Sequence, residues 1–247
     1  KNEVLYIENT ALVSPIADAE LSLRQHLTDF TDLGNRLDFS AELKDLYPFA
    51  PLLGVEQLLV QGELEGQLSR NNNRQLEFNG DLLLEEVLVD TLFSSEEIKG
   101  SITALLLDEP EIESSLEMTG PVVLGQKIQD FTTSGTARIT DEETVGDIGF
   151  QLVNAGEGRL SHSGSYRYSE ERTELTTNTL EFETPSRTLN LRESFGIQYR
   201  DGLLSVDSLR VQTDDEYAYL ELWAPHVDSL SQNVGLNARN LNIGVLQ

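Results

Sequence analysis

The sequence predicts an all-β protein built from antiparallel strands joined by short turns. Apolar residues recur at every second position, the period at which alternate side chains of a strand face opposite sides of a sheet. Polar turn signals of hairpin length separate these stretches. The clearest alternation lies in residues 76–78, 112–118, 180–183, 189–191, 197–199 and 209–211, and the clearest turns in residues 71–73, 108–110, 141–143, 200–202 and 213–215.

An internal repeat predicts that the sheet is curved. An apolar residue, a polar residue and Gly recur in series, with the glycines at positions 62, 80, 100 and 120. About 20 residues accommodate two strands with their turns, so we expect each repeat to be one hairpin. Glycines at a fixed site in successive strands would bend the sheet along one line and give it a concave face. An ordinary β-sandwich with these glycines at turns is the alternative.

Two stretches interrupt the strand pattern. Leu43, Leu46 and Tyr47 stand at helical spacing and Pro48 would end a helix, so a short helix is predicted near residues 41–47. Residues 28–34 are too polar for a core strand and are predicted to form a loop. No linker rich in Pro, Gly or Ser divides the chain, and residues 1–247 are predicted to be one elongated β-repeat segment of a longer polypeptide.

The composition excludes several classes of protein. Lys and Arg total 17 against 43 Asp and Glu, which gives a formal net charge of −26. Neutralising phosphates requires clustered Lys and Arg, which the sequence lacks, so no nucleic-acid partner is expected. The absence of Cys excludes disulfides, thiolate metal sites and cysteine nucleophiles, and it favours a bacterial periplasm over the cytoplasm.

No motif points to catalysis, so we expect neither an enzyme nor a cofactor. The three histidines, His26, His162 and His226, lack ligand spacing, and His162 is predicted to be a strand residue on a polar face. The acidic groups at residues 108–113, 141–143 and 214–216 do not match a calcium loop and are predicted to be solvated turns. A calcium-binding or carbohydrate-active β domain is kept as an alternative, because the separation of two carboxylates is a three-dimensional quantity.

Several stretches of the chain resemble a known family. Residues 37–50, followed by the strand pattern Gly-x-Leu-x-Gly-x-Leu at residues 62–68, are similar to the TamB branch of the AsmA-like envelope proteins. In that family a short segment bearing Leu and Pro leads into such a strand. Residues 187–191 and 196–211 resemble the family's paired strands around an Asp-Gly turn. The similarity extends over residues 37–246 and consists of β repeats, with no catalytic signature.

The resemblance implies both a fold and a function. The fold would be the β-taco or super-groove of bridge-like lipid-transfer proteins, a partly wrapped sheet whose apolar trough shelters phospholipid acyl chains. The function would be phospholipid transport between the inner and outer membranes of a diderm bacterium, across the periplasm, in support of outer-membrane biogenesis. The family's inner-membrane anchor and its docking module for an outer-membrane barrel partner of TamA type are not recognisable, so both are expected elsewhere in the full-length protein.

Strand parity identifies the residues expected to line the trough. One set of alternate strand positions is apolar and is expected to line the trough. The other set includes Glu63, Glu65, Glu77, Glu111 and Glu113, and its side chains are expected to form an acidic convex surface in water. A closed sandwich would show the same two-faced pattern, and a structural or adhesive solenoid or sandwich of a secreted protein, without lipid, is the alternative function. The predicted lining residues are Val60, Leu64, Leu68, Phe78, Leu82, Leu84, Ile98, Ile102, Leu106, Ile112, Leu116 and Met118.

Overall fold

The computed structural model describes residues 3–106, 108–154, 156, 158–200, 203–214, 218–224 and 235–240. Strands make up 73% of the structure and helices 3%, which confirms the predicted all-β antiparallel fold. The chain divides into two compact units, Lys1–Thr132 and Thr133–Gln247. The finer prediction of one elongated segment with a concave apolar face stays a prediction.

The first unit is an antiparallel sheet in which strands β1 to β7 pair in chain order, from the pair β1–β2 to the pair β6–β7. The short strand β8 pairs with β6 and with β9. The strands are β1 (Val4–Val13), β2 (Ala17–His26), β3 (Arg36–Leu43), β4 (Leu58–Arg70), β5 (Leu76–Val89), β6 (Phe93–Leu106), β7 (Glu111–Thr119), β8 (Val122–Val123) and β9 (Gln126–Ile139), of which the last begins in this unit.

The repeat of about 20 residues is one long strand with its turn, so the prediction of a hairpin per repeat is wrong. Strands β4, β5 and β6 have 13, 14 and 14 residues, more than twice the usual length. The periodicity indicates where strand residues lie, but strand length depends on where the chain turns.

The repeated glycines do not form a column across the sheet, and that prediction is also wrong. Gly62 lies opposite Leu84, Gly80 opposite Ile102 and Gly100 opposite Leu116. A site at a fixed distance from the start of each strand moves from one end of the sheet to the other, because consecutive strands run in opposite directions. These three glycines lie within strands, so they are not the turn glycines of the alternative either.

A short helical segment is present, but it begins after the predicted position. Residues 41–43 end strand β3, and the helical residues are a 3₁₀ turn, Tyr47–Phe49, followed by α1, Ala50–Leu53. Pro48 and Pro51 each stand in the first turn of one of these elements, where a missing N–H costs no hydrogen bond. Pro48 therefore helps to begin the segment that it was predicted to end.

The predicted loop at residues 28–34 is confirmed, between β2 and β3. Its turns are held by aspartate side chains. The Asp29 carboxylate accepts hydrogen bonds from the N–H (2.9 Å) and the hydroxyl (2.7 Å) of Thr31, and the Asp32 carboxylate accepts one from the Gly34 N–H (2.7 Å). Short polar side chains of this kind stabilise turns in competition with strand pairing.

The second unit is also an antiparallel sheet. Strand β12 pairs with β11 on one side, while its other side is shared between β13 and β14, and both of these pair with β15. The strands are β10 (Thr144–Asn154), β11 (Arg159–Tyr168), β12 (Arg172–Thr184), β13 (Arg187–Leu191), β14 (Phe195–Arg200), β15 (Leu203–Gln212), β16 (Tyr219–Ala224) and β17 (Gly235–Arg239).

Candidate functional site

The candidate site is the apolar face of strands β4 to β7 in the first unit. Residues directly opposite each other in an antiparallel pair point to the same face, so the register assigns every side chain to a face. Leu64, Leu82 and Leu116 share one face in this way, linked through Gly100 on β6. The same test assigns the other predicted lining residues on these strands to that face: Leu68, Phe78, Leu84, Ile98, Ile102, Leu106, Ile112 and Met118.

Val60 needs separate treatment, because the register between β4 and β5 shifts between Leu59 and Gln61. Its side chain is buried and belongs to the same hydrophobic cluster as Ile98. Val60 therefore packs with the other predicted lining residues, although it has no direct partner across the bulge.

The opposite face is polar and strongly acidic. The residues predicted to be outward-facing on β4, β5 and β7 all lie there, and several carboxylates face each other directly. Glu63 lies opposite Glu42, and Glu65 lies opposite Asp81. Like charges in such pairs are destabilising, so this face is suited to water and counterions rather than to a protein core.

This polar face carries a hollow of about 370 Å³. Arg36 and Asp38 form an ion pair there at 2.6 Å, and the Gln67 side-chain amide donates to Asp38 (3.2 Å). Within the described part of the chain, no group of three or more His, Asp or Glu residues could hold a metal ion. The hollow is lined by Glu20, Ser22, Arg36, Asp38, Phe39, Ser40, Glu65, Gly66, Gln67, Asn79 and Asp81.

One end of the apolar face is covered by the protein itself. The segment of residues 46–55, which contains the helical turns, folds onto this end and buries Ala50, of which 2% is exposed. Ala50 packs in a cluster with Leu58, Val60, Val87 and Ile98. The predicted lining residues Val60 and Ile98 are thus buried beneath this cover, and we call residues 46–55 the cover segment.

The residues that follow the cover segment are held by the carboxylate of Asp90, which comes directly after β5. It accepts hydrogen bonds from the backbone N–H groups of Glu56 (2.8 Å) and Gln57 (2.6 Å), and the Asp90 N–H donates to the Gln57 carbonyl (2.9 Å). Sequence reasoning missed this cover. The available signal was ten consecutive residues without charge, 46–55.

The rest of the apolar face is accessible. Ile102 is 38% exposed, although it lies opposite Gly80 on one side and Ser114 on the other, and Leu106, the last residue of β6, is 43% exposed. Leu64, Leu68, Phe78, Leu82, Ile112 and Leu116 are half-buried. A closed sandwich would bury a central residue such as Ile102, so this part of the face is open in the first unit.

Two glycines make room for aromatic rings on this face. The rings of Phe39 and Phe78 are stacked with centroids 6.1 Å apart. A Cβ atom on Gly66 would lie 2.2 Å from the Phe39 ring, and one on Gly80 would lie 3.1 Å from the Phe78 ring. Gly66 and Gly80 lie directly opposite each other, so together they form a notch over which the rings lie flat.

The second unit has an apolar face of its own, and His162 lies on it. The register places Phe150, His162 and Leu180 in one row across β10, β11 and β12. The predicted polar-face position of His162 is therefore wrong. Two contacts stabilise the imidazole ring on this face. The ring stacks on Phe150 (4.9 Å between centroids), and its Nε2 lies 3.1 Å from the Thr177 hydroxyl.

The environment of His162 favours the neutral ring. Burial lowers the pKa of His162, because desolvation penalises the charged form. Its Nδ1 is buried without a hydrogen-bond partner. Of the other histidines, His26 Nε2 lies 3.3 Å from Asp32 in the first unit, and His226 lies outside the described residues.

Neither a comparison with protein-family models nor one with curated proteins finds a match for this chain. Among the residues that the structure describes, no helix has the length and apolar character needed to cross a membrane. The resemblance to the TamB branch is therefore carried by the sequence pattern alone.

Proposed function

We propose that this chain is a segment of a lipid-transfer protein, and that its apolar sheet face shelters phospholipid acyl chains. The observation that carries the proposal is the accessible apolar face around Ile102, which is paired with a strand on each side, and Leu106 at the end of the same strand. A monomer in water gains by covering such a face. An acyl chain is the cover proposed here, and the role is one of binding without catalysis.

The energetics suit transport. A 16-carbon chain that moves from water to an apolar surface gains up to about 12 kcal/mol, at ~0.8 kcal/mol for each methylene. It loses a similar amount when it leaves a bilayer. The free energy of transfer between bilayer and protein is then close to zero, so neither site would retain the lipid at the expense of the other.

The composition of the face also suits a mobile ligand. Between Leu64 and Leu116 the row across the sheet contains aliphatic side chains and a glycine, and no charged residue. Specific polar contacts hold a ligand in one position, whereas dispersion and hydrophobic contacts are non-directional. A chain on such a surface is free to slide.

The cellular setting belongs to the same proposal. The resemblance of residues 62–68 and 196–211 to the TamB branch, together with the absence of Cys, supports a periplasmic role in phospholipid transport between the inner and outer membranes. Outer-membrane biogenesis would be the process served. Inner-membrane anchoring and a barrel partner of TamA type are proposed for the full-length protein, outside this segment.

Photocrosslinking tests whether lipid contacts the apolar face of the sheet and not the polar face. Benzoylphenylalanine is placed at Ile102 or, as the matched control, at its neighbour Ser101, which is exposed on the opposite face. After incubation with tritiated phosphatidylcholine and irradiation, we expect label at position 102 and several-fold less at position 101. Equal labelling, or none at position 102, would contradict the proposal.

The structural or adhesive alternative also has one observation in its favour. The cover segment shows that part of the apolar face is filled by the protein's own side chains, with Ala50, Val60 and Ile98 buried. If another protein surface covered the remaining face in the same way, lipid would have no access. The alternative therefore predicts no label at position 102.

A further inference from the structure

The first unit has an apolar end, formed by three segments that meet where strands turn. They are the cover segment (residues 46–55), Leu92 at the turn between β5 and β6, and residues 120–125 around β8. Unlike the face described above, this end exposes large side chains at turns. Those exposed are Tyr47, Phe49, Leu52, Leu92, Val123 and Leu124.

Backbone contacts hold the three segments together. The Leu124 N–H donates to the Leu92 carbonyl (2.8 Å), and Phe93 lies opposite Val123. Phe93 in turn packs against the cluster that contains Ala50, the first residue of α1. The exposed side chains of the three segments therefore lie at one end of the unit.

The exposure of these side chains is not required by the fold. Leu52 is 81% exposed and Leu124 is 72% exposed. Leu124 also has a φ of 50°, followed by Gly125 at 79°, a left-handed turn in which Asn or Gly fits with less strain than Leu. The leucine at this tip neither enters the core nor suits the turn, which suggests that its apolar side chain serves an external contact.

The charge pattern indicates what kind of surface this contact is. Residues 46–55 and 120–125 contain no Asp, Glu, Lys or Arg, in a chain whose net charge is −26. The turn that contains Leu92 carries one charge, on Asp90, whose carboxylate is bound to the backbone N–H groups of Glu56 and Gln57. A second copy would bring the same large negative charge, and self-association would have to overcome that repulsion. The interface of a neutral bilayer carries no such penalty and accepts Leu, Phe and Tyr side chains.

The opposite end of the unit differs in composition. Its turns carry charged side chains, including those of Asp29, Asp32, Arg74, Asp108 and Glu109. Phe30 and Leu33 are exposed there among these charges. The apolar end is therefore a feature of one end of this unit rather than of all its turns.

We propose that the apolar end inserts into the interface of a zwitterionic phospholipid bilayer as a peripheral contact. Leu52 and Leu124 are the deepest anchors, and Tyr47 and Phe49 lie at the level of the headgroups. This contact is separate from the binding of acyl chains on the sheet face, since it uses different residues.

Flotation with phosphatidylcholine vesicles tests the proposal. The double variant Leu52→Ser/Leu124→Ser removes the two anchors, and Phe30→Ser/Leu33→Ser is the matched control at the opposite end. All four residues are exposed, so each variant is expected to fold, as circular dichroism would verify. We expect the wild type and the control to float with the vesicles and the L52S/L124S protein to partition at least about tenfold less.

Three results would overturn the proposal. They are failure of the wild type to bind the vesicles, equal binding by wild type and L52S/L124S, and a dimer in sedimentation that L52S/L124S abolishes while vesicle binding is unchanged. The last result would assign the apolar end to a second copy. Labelling at position 102 is measured with phosphatidylcholine in detergent micelles rather than in vesicles, so failure here and failure of the proposed acyl-chain binding are distinguishable.

Discussion

At the scale of single residues, His162 shows how an ionisable side chain can belong to an apolar face. Phe150 covers its ring and Thr177 supplies one hydrogen-bond partner. The pattern of polar neighbours in the sequence, Ser161 and Ser163, indicated a polar face instead. Those serines flank the histidine and therefore point to the other side of the strand, so the alternation placed the serines on the polar face and the histidine on the apolar one.

The lowered pKa of His162 makes its contribution to stability dependent on pH. In the unfolded chain His162 binds a proton near its ordinary pKa of about 6.5, whereas burial disfavours the protonated ring in the folded chain. Acidification therefore favours unfolding. Relative to His162→Gln, the wild type is expected to lose unfolding free energy as the pH falls from 7.5 to 5.5. Denaturant titrations over this range provide the measurement, and parallel profiles for the two proteins would contradict the assignment.

At the scale of elements, the residues that follow the cover segment are held by one side chain from the turn after β5. Asp90 has a φ of 50°, a conformation that Asp and Asn tolerate better than most residues, and its carboxylate accepts two backbone N–H groups. The position thus joins a turn of β5 to the residues that follow the cover segment.

Removing that acceptor should loosen the cover segment. Asp90→Ala is expected to cost about 1–2 kcal/mol and to speed hydrogen exchange at the amides of Glu56 and Gln57. Asp90→Asn retains an acceptor oxygen and is expected to lose less. Asp81→Ala, at an exposed site on the polar face of the same strand, is the control. Unchanged exchange in Asp90→Ala would show that the Asp90 carboxylate does not hold the segment.

The same elements indicate what the sequence could predict. Alternation is local, so the strands and the parity of residues such as Leu64 and Ile102 could be assigned without coordinates. The offset of Gly62 from Gly80 and the packing of Ala50 on Ile98 depend on which strands pair and in which register. Such information is spread over distant parts of the chain and is not contained in any short window.

At the scale of the whole molecule, the negative charge and the apolar surface are segregated. Facing carboxylates such as Glu65 and Asp81 concentrate charge on one side of the first sheet, and Ile102 and Leu106 remain accessible on the other. A large net charge keeps a protein with exposed apolar surface soluble and separate from other copies. The two features together suit a protein that holds an apolar ligand in water.

Lipid analysis of the purified protein tests this claim most directly. Purified wild type, Ile102→Glu and the matched variant Ser101→Glu are extracted with organic solvent after exposure to phosphatidylcholine, and bound phospholipid is measured by mass spectrometry. The account predicts bound phospholipid in the wild type and in S101E, and at least about fivefold less in I102E, because a carboxylate on the apolar face cannot be desolvated cheaply beneath an acyl chain. A wild-type protein without phospholipid, or equal amounts in all three proteins, would contradict it.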